Sequence, residues 1–301
     1  MHTQNCHKNG YDFNALCNSL PSLLGFVKKR PDGKDTIDFS DPIALKTLNQ
    51  ALLKHHYQVA MWDLPAGFLC PPVPGRADYL HHLHDLVCKD TALDINQRKV
   101  RVMDVGTGAS LIYPILGNAL FKWQFLASDI DTQSVKLAKQ LAQLNNLPIK
   151  VVQQKQPSHY FEGVIKAQDT LVATMCNPPF HDSEQSANAG SERKWQNLTG
   201  KKSSQLNFGG RSNELWCKGG ELAFIRNMIL ESSHFAEQVI WFTSLVSKKE
   251  NERPLKAFLR KAGAVEVEIV AMNQGHKISR FIAWSFMDKP QRTQALLRVL
   301  G

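Results

Sequence analysis

Lys99-Val100-Arg101-Val102-Met103-Asp104-Val105-Gly106-Thr107-Gly108-Ala109-Ser110 is the stretch that decides the fold. Its first seven residues suit a buried strand, two glycines then break the run, and Leu111 to Phe121 carries apolar helix formers. The unit reads as strand, glycine turn, helix. Such a turn lets the backbone approach a ligand, and the free N–H groups of the following helix face it. A second strand pattern, Lys122 to Ile130, leads into Asp131. A carboxylate at its end stands where parallel α/β folds bind ribose hydroxyls; Asp129 is the first candidate and Asp131 its competitor. A nicotinamide dinucleotide would use the same carboxylate. However, Leu111 occupies the place of the third glycine in G-x-G-x-x-G, which favours S-adenosylmethionine as the cofactor.

The alternation continues downstream. Strand patterns cover 149–154, 170–176, 239–246, 265–272 and 280–286, and helix patterns cover 132–145, 221–233 and 253–261. The last two strands lie too close for a helical crossover and are predicted to pair as an antiparallel hairpin. The expected fold is therefore α/β: a doubly wound, mostly parallel seven-stranded Rossmann-like sheet with a reversed C-terminal edge strand. Residues 11–95 read mainly helical. Asp41 is the expected N-cap and Pro42 the first helical residue of one helix, and a second runs from Asp78 to Cys88 after a proline-rich loop. The organisation predicted is an accessory region over 1–95 and an S-adenosylmethionine-dependent domain over 96–301.

The chemistry points to Thr174-Met175-Cys176-Asn177-Pro178-Pro179-Phe180-His181, where an apolar strand stops at Asn-Pro-Pro and an aromatic. An exocyclic base amine is a poor nucleophile because its lone pair is delocalised into the ring. Acceptors that hold its two N–H groups turn that lone pair toward an incoming methyl group. The Asn177 side-chain oxygen and the carbonyl beside Pro178 supply two. Pro178 and Pro179 stiffen the loop, and Phe180 offers a face on which a flipped base can stack. A plain turn ending a strand uses the same residue types. Cys176 reads as a buried strand residue, not a nucleophile.

Composition bounds the remaining possibilities. A chain of 301 residues that is 43% hydrophobic is long enough to bury a full core. It has no apolar run of membrane-span length and no export signal at Met1–Cys6, so a cytoplasmic protein is expected. The six cysteines contain no Cys-x-x-Cys pair, which argues for reduced thiols and against zinc or a disulfide framework. His81-His82-x-His84 reads as a helix face, and no metal is expected. The net charge of +9 suggests a polyanionic partner, and the stretch downstream of the Asn-Pro-Pro loop is the most telling part of its distribution. Between Ser191 and Lys218, six basic residues (Arg193, Lys194, Lys201, Lys202, Arg211, Lys218) face two acidic ones and are interleaved with Trp195, Phe208 and Trp216. Cations for phosphates and aromatics for unstacked bases suit looped or single-stranded RNA.

Taken together, Asp104-Val-Gly-Thr-Gly-Ala-Ser110, Asn177-Pro-Pro-Phe180, Gly219-Gly-Glu-Leu222 and Gln274-Gly275 leading to Ala283-Trp-Ser-Phe286 resemble the ribosomal RNA large subunit methyltransferase F family. The resemblance spans about Tyr11 to Met287. It implies methylation of the N6 amine of an adenine in 23S rRNA, presented as RNA or as a large-subunit assembly intermediate. It also implies cofactor contacts at Arg76, within Pro74-Gly75-Arg76-Ala77-Asp78-Tyr79, at Asp104, Gly106, Gly108, Ser110, Asp129 and Asn177, and near Ser158. Two alternatives stand beside it. One is guanine-N2 methylation of rRNA, because Asn-Pro-Pro-Phe is shared among amino methyltransferases. The other is an RNA-binding module with a degenerate cofactor site.

Overall fold

The chain opens with a short helix, α1 (Phe13–Ser19), a two-residue hairpin of β1 (Lys28–Lys29) and β2 (Asp35–Thr36), then α2 (Pro42–Tyr57) and α3 (Val73–Cys88). The computed structural model describes residues 1–183, 185, 215–274 and 277–301. Asp41 caps α2 by accepting from the backbone N–H groups of Ile43 and Ala44, and Pro42 sits in the first turn, where its missing N–H costs no hydrogen bond. By contrast, α3 begins five residues before the expected Asp78. Pro74 is accommodated in its first turn for the same reason, so Arg76 lies on a helix and not in a loop.

From Arg101 the strands and helices alternate as the sequence predicts. β3 (Arg101–Val105), α4 (Ile112–Phe121), β4 (Gln124–Asp129), α5 (Thr132–Leu144), β5 (Ile149–Gln153) and β6 (Leu171–Cys176) follow in turn. Then come α6 (Gly220–Ser232), β7 (Val239–Leu245), α7 (Glu252–Ala262), β8 (Glu266–Gln274) and β9 (Lys277–Ser285). The seven-stranded sheet has the order β5-β4-β3-β6-β7-β9-β8, with β5 to β7 parallel. β9 runs antiparallel to both β7 and β8. The reversed final strand thus lies one place in from the edge, and β8 forms the edge itself. Helix α8 (Lys289–Leu300) was not anticipated, and it is closed by a capping box between Asp288 and Gln291.

Each face of the sheet carries its own apolar core. One core joins Leu48, Leu52, Leu80 and Leu83 of the N-terminal helices to Ile115 and Leu116 of α4, Ala138 and Leu141 of α5, and Leu296 of α8. On the other face, Ile225, Met228 and Ile229 of α6 and Leu255 and Leu259 of α7 pack on Met103, Phe242 and Trp284 of the sheet. Residues from the N-terminal helices therefore form part of the sheet's own core. No helix among the described residues is long and apolar enough to cross a membrane.

Candidate active site

The parallel strands end on a common edge, and the turns that follow them surround a cavity of about 520 Å³. That is where open α/β sheets place ligands, and the volume is ordinary for a small-molecule site. The turn after β3 supplies Gly106 and Gly108, with φ of 72° and 64°, a left-handed backbone region that favours glycine. Leu111 also takes a positive φ, 50°, at the position where a dinucleotide fingerprint carries glycine, and it is fully buried.

Asp129 ends β4 and holds the turn in place. Its Oδ2 accepts from the Gly108 N–H at 2.8 Å and its Oδ1 from the Asp131 N–H at 2.9 Å. Burial raises its carboxyl above the usual range, while those backbone donors pull the other way. Asp131 lines the same cavity, yet its Oδ2 caps α5 by accepting from the Ser134 N–H at 2.7 Å. Both carboxylates therefore line the cavity and both hold backbone N–H groups, Asp129 through two oxygens and Asp131 through one.

Asn177 follows β6 and lines the cavity with Pro179, whereas Pro178 is buried and Phe180 is half-buried, neither on the cavity wall. Arg76 reaches across from α3: its Nη1 donates to Asn177 Oδ1 at 2.9 Å and to the Tyr113 hydroxyl at 2.7 Å. Burial pushes the Tyr113 phenol up to about 12, so it meets the guanidinium as a neutral acceptor. An amide oxygen has two lone pairs. Arg76 occupies one and orients the amide, leaving the other for an incoming donor. Below the loop, the Tyr79 hydroxyl meets Thr243 Oγ1, which donates to the Thr174 carbonyl at 2.7 Å and fixes the end of β6.

Other predicted residues fall into place unevenly. Gly106, Gly108 and Ser110 line the cavity, and Ser110 offers its carbonyl to the Trp62 indole N–H at 2.9 Å. Asp104 does not line it; the residue is fully buried, both carboxylate oxygens lack a hydrogen-bond partner, and burial raises its carboxyl to about 7, with Asp129 adding in the same direction. Ser158 is not on the wall, but Pro157, His159 and Tyr160 are. The thiol of Cys176 is fully buried and pushed far up by that burial, which makes it inert. Arg193, Lys194, Trp195, Lys201, Lys202 and Arg211 lie outside the described residues, as does Gly275, but Trp216 and Lys218 at the end of that segment line the cavity.

Two acidic residues that hold the site together escaped the sequence reading or had no stated role in it. Gly219 and Gly220 take positive φ and lead Glu221 inward, where its carboxylate accepts from the Ser247 N–H at 2.6 Å and from Asn251 Nδ2 at 2.7 Å. Glu231, at the end of α6, accepts three consecutive backbone N–H groups, those of Tyr160, Phe161 and Glu162, at 2.7, 2.9 and 2.7 Å. Tyr160 packs edge-on against Phe224, and both rings line the cavity, so Glu231 sets the shape of that wall.

The donor set suits a cationic nucleoside ligand. Asp129 presents a carboxylate, Leu69, Pro71, Tyr160 and Phe224 present apolar faces, and the Asp104 carboxyl is buried behind the glycine turn, where a bound cation would favour its charged form as Arg76 does.

Comparison with known proteins accords with this geometry. A family model described as RNA methyltransferase matches residues 1–288. Ribosomal RNA large subunit methyltransferase F of Pseudoalteromonas translucida is 53% identical over 295 residues, covering 98% of this chain and 95% of that protein. The protein of the same name from Enterobacter sp. is 49% identical over 298 residues, 98% and 97% of the two chains. Among solved structures, the human METTL16 catalytic domain in complex with the MAT2A 3′UTR hairpin 1 superposes with a TM-score of 0.81 at 32% identity, over 96% of each chain. The N-terminal domain of human METTL16 in complex with SAH gives a TM-score of 0.76 at 30% identity, over 96% and 99%.

Proposed function

Since the chain belongs to the RNA methyltransferase family, we propose that it transfers a methyl group from S-adenosylmethionine to the N6 amine of an adenine in 23S rRNA. The observation that carries this reading is the Asn177 amide, held by Arg76 on the wall of the cavity that the glycine turn after the neighbouring strand and Asp129 also line. The S-adenosylmethionine cofactor supplies a methyl group on a cationic sulfonium, an electrophile strong enough that the amine needs no prior deprotonation. Gly106, Gly108 and Ser110 would bring backbone to it, Asp129 would accept from its ribose hydroxyls, and Arg76, which holds Asn177, would contact it as well. The free lone pair of Asn177 Oδ1 and the carbonyl beside Pro178 accept the two N–H groups of the amine. Phe180 stacks on the flipped base, and the surplus proton leaves to solvent after transfer.

Residues 1–95 act as an accessory region that delivers Trp62 and Arg76 to the site. The basic and aromatic segment that includes Arg193, Lys194, Trp195, Lys201, Lys202 and Arg211 grips the RNA, with Trp216 and Lys218 carrying that surface to the cavity. The protein works in the cytoplasm on rRNA or a large-subunit assembly intermediate, and the transfer step itself uses no metal. Mass spectrometry of nucleosides from rRNA incubated with protein and isotopically labelled cofactor tests the reading. Label in N6-methyladenosine is expected, and label in N2-methylguanosine instead would replace the adenine assignment with the guanine one.

Two variants probe the cofactor side. Asp129→Ala is expected to weaken cofactor binding by about 1–3 kcal/mol, because a charge-assisted acceptor is lost along with the anchor of the Gly108 N–H. Calorimetry that shows this loss only for Asp131→Ala would reverse the choice of carboxylate. Glu231→Ala leaves three backbone donors without an acceptor and loosens the Tyr160 wall. A roughly tenfold weaker cofactor affinity, about 1.4 kcal/mol, with unchanged RNA affinity is the expected result. Equal losses for both ligands would instead mean general destabilisation.

A further inference from the structure

Two places among the described residues bring three potential metal ligands together. At the first, His159, Glu162 and Glu231, the Glu231 carboxylate is already saturated by three backbone N–H groups and His159 Nδ1 lies 3.3 Å from Glu162, so these groups account for one another. The second is Cys6, His7 and His56, where the sulfur and one nitrogen of each ring all lie within 4.8 Å of one another. This second group carries no carboxylate and packs around the Tyr57 hydroxyl, with the His7 and His56 rings edge to face at 4.9 Å. None of the three lines the cofactor cavity.

Several features of the group are those of a ligand set. His7 is 2% exposed, and its Nδ1 has no hydrogen-bond partner while Nε2 lies 2.7 Å from the Tyr57 hydroxyl. The Tyr57 hydroxyl also lies 3.7 Å from Cys6 Sγ. It can accept from one ligand and donate to the sulfur of another, an outer-shell arrangement found around metal-bound histidines. His7 is anchored by its backbone N–H to Asn5 Oδ1 at 3.0 Å, and Asn5 Nδ2 donates to the Pro74 carbonyl at 3.0 Å. The buried ligand is therefore rigidly placed, while Cys6 and His56 are exposed. Tetrahedral coordination at about 2.0–2.3 Å requires the ligand atoms to close to about 3.3–3.8 Å, a rotamer adjustment of roughly 1 Å.

We propose that Cys6, His7 and His56 form a structural site for a thiophilic divalent cation of the zinc class, stapling the N-terminal segment to the end of α2, with solvent as the fourth ligand. A thiolate with two imidazoles selects zinc or cobalt over the hard magnesium and calcium ions. Binding replaces the thiol proton of Cys6, which passes to solvent, and changes no oxidation state.

Cobalt(II) titrated into the reduced, full-length protein provides the test. The expected result is a visible d–d band with near-ultraviolet sulfur-to-cobalt charge transfer, saturating at about one equivalent and bleached by an equal amount of zinc. Cys6→Ser should abolish the charge-transfer band, and His56→Asn should weaken binding at least about tenfold. Zinc should also raise the melting temperature of the wild type but not of Cys6→Ser. Absence of a saturable band, or a band that survives Cys6→Ser, overturns the proposal. Because Cys6 is exposed, its replacement leaves the fold intact and the comparison interpretable.

Discussion

Replacing Asn177 by alanine is expected to lower single-turnover methyl transfer by about a hundredfold or more, equivalent to a barrier increase of about 2.7 kcal/mol, with cofactor affinity held within a few-fold. The loss has two origins. The variant lacks the acceptor that orients the amine, and it leaves the Nη1 of Arg76 with Tyr113 as its remaining partner, so the guanidinium is free to swing toward the space the amine requires. Asn177→Asp separates these origins: a carboxylate still accepts from both Arg76 and the amine, so a smaller loss is expected. Near wild-type turnover in Asn177→Ala would remove this residue from the mechanism, and equal losses in the two variants would show that amide geometry matters more than the presence of an acceptor.

That prediction could be half-written from the sequence, and the missing half shows what a sequence conceals. Asn-Pro-Pro-Phe is a local motif, as are the glycine turn and the acid at the end of β4, because each depends on backbone conformation over a few neighbouring residues. The partner of Asn177 is 101 residues away on α3, and nothing in the local pattern joins them. Arg76 came instead from the resemblance, and its helical setting was obscured by Pro71, Pro72 and Pro74, residue types that mark loops yet are tolerated in a first turn. Glu231 and the loop it holds are separated by about 70 residues, and a glutamate near a helix end reads as a solvated surface group until the three backbone N–H groups are seen against it. Cys6 teaches the same lesson: it and the adjacent His7 are 49 residues or more from His56 along the chain, and only the fold brings His56 beside them.

The C-terminal helix was invisible for another reason. Its amphipathic pattern is short and begins with Lys289-Pro290, and its main attachment is a buried ion pair that no hydrophobic period reveals. Arg292 and Asp90 are each 3% exposed; Arg292 Nε and Nη2 donate to the two Asp90 oxygens at 2.8 and 3.1 Å, and the guanidinium lies 4.5 Å from the Trp241 ring centre. Trp241 Nε1 also donates to Asp90 at 2.7 Å, and Thr293 Oγ1 to the Asp90 carbonyl at 2.8 Å. The network ties α8 to the segment between α3 and β3 and to the middle of β7. Arg292→Ala leaves a buried carboxylate with an indole N–H and no counter-charge, which should destabilise the fold by about 3–5 kcal/mol. Against a total stability of about 5–15 kcal/mol, that is enough to move the urea midpoint strongly. The double variant Asp90→Ala, Arg292→Ala should cost less than the sum of the two single variants, because removing both partners leaves no uncompensated charge. A single-variant loss below about 1 kcal/mol would mean that water reaches Asp90 and that α8 is held by its apolar contacts through Leu296 and Leu300 alone.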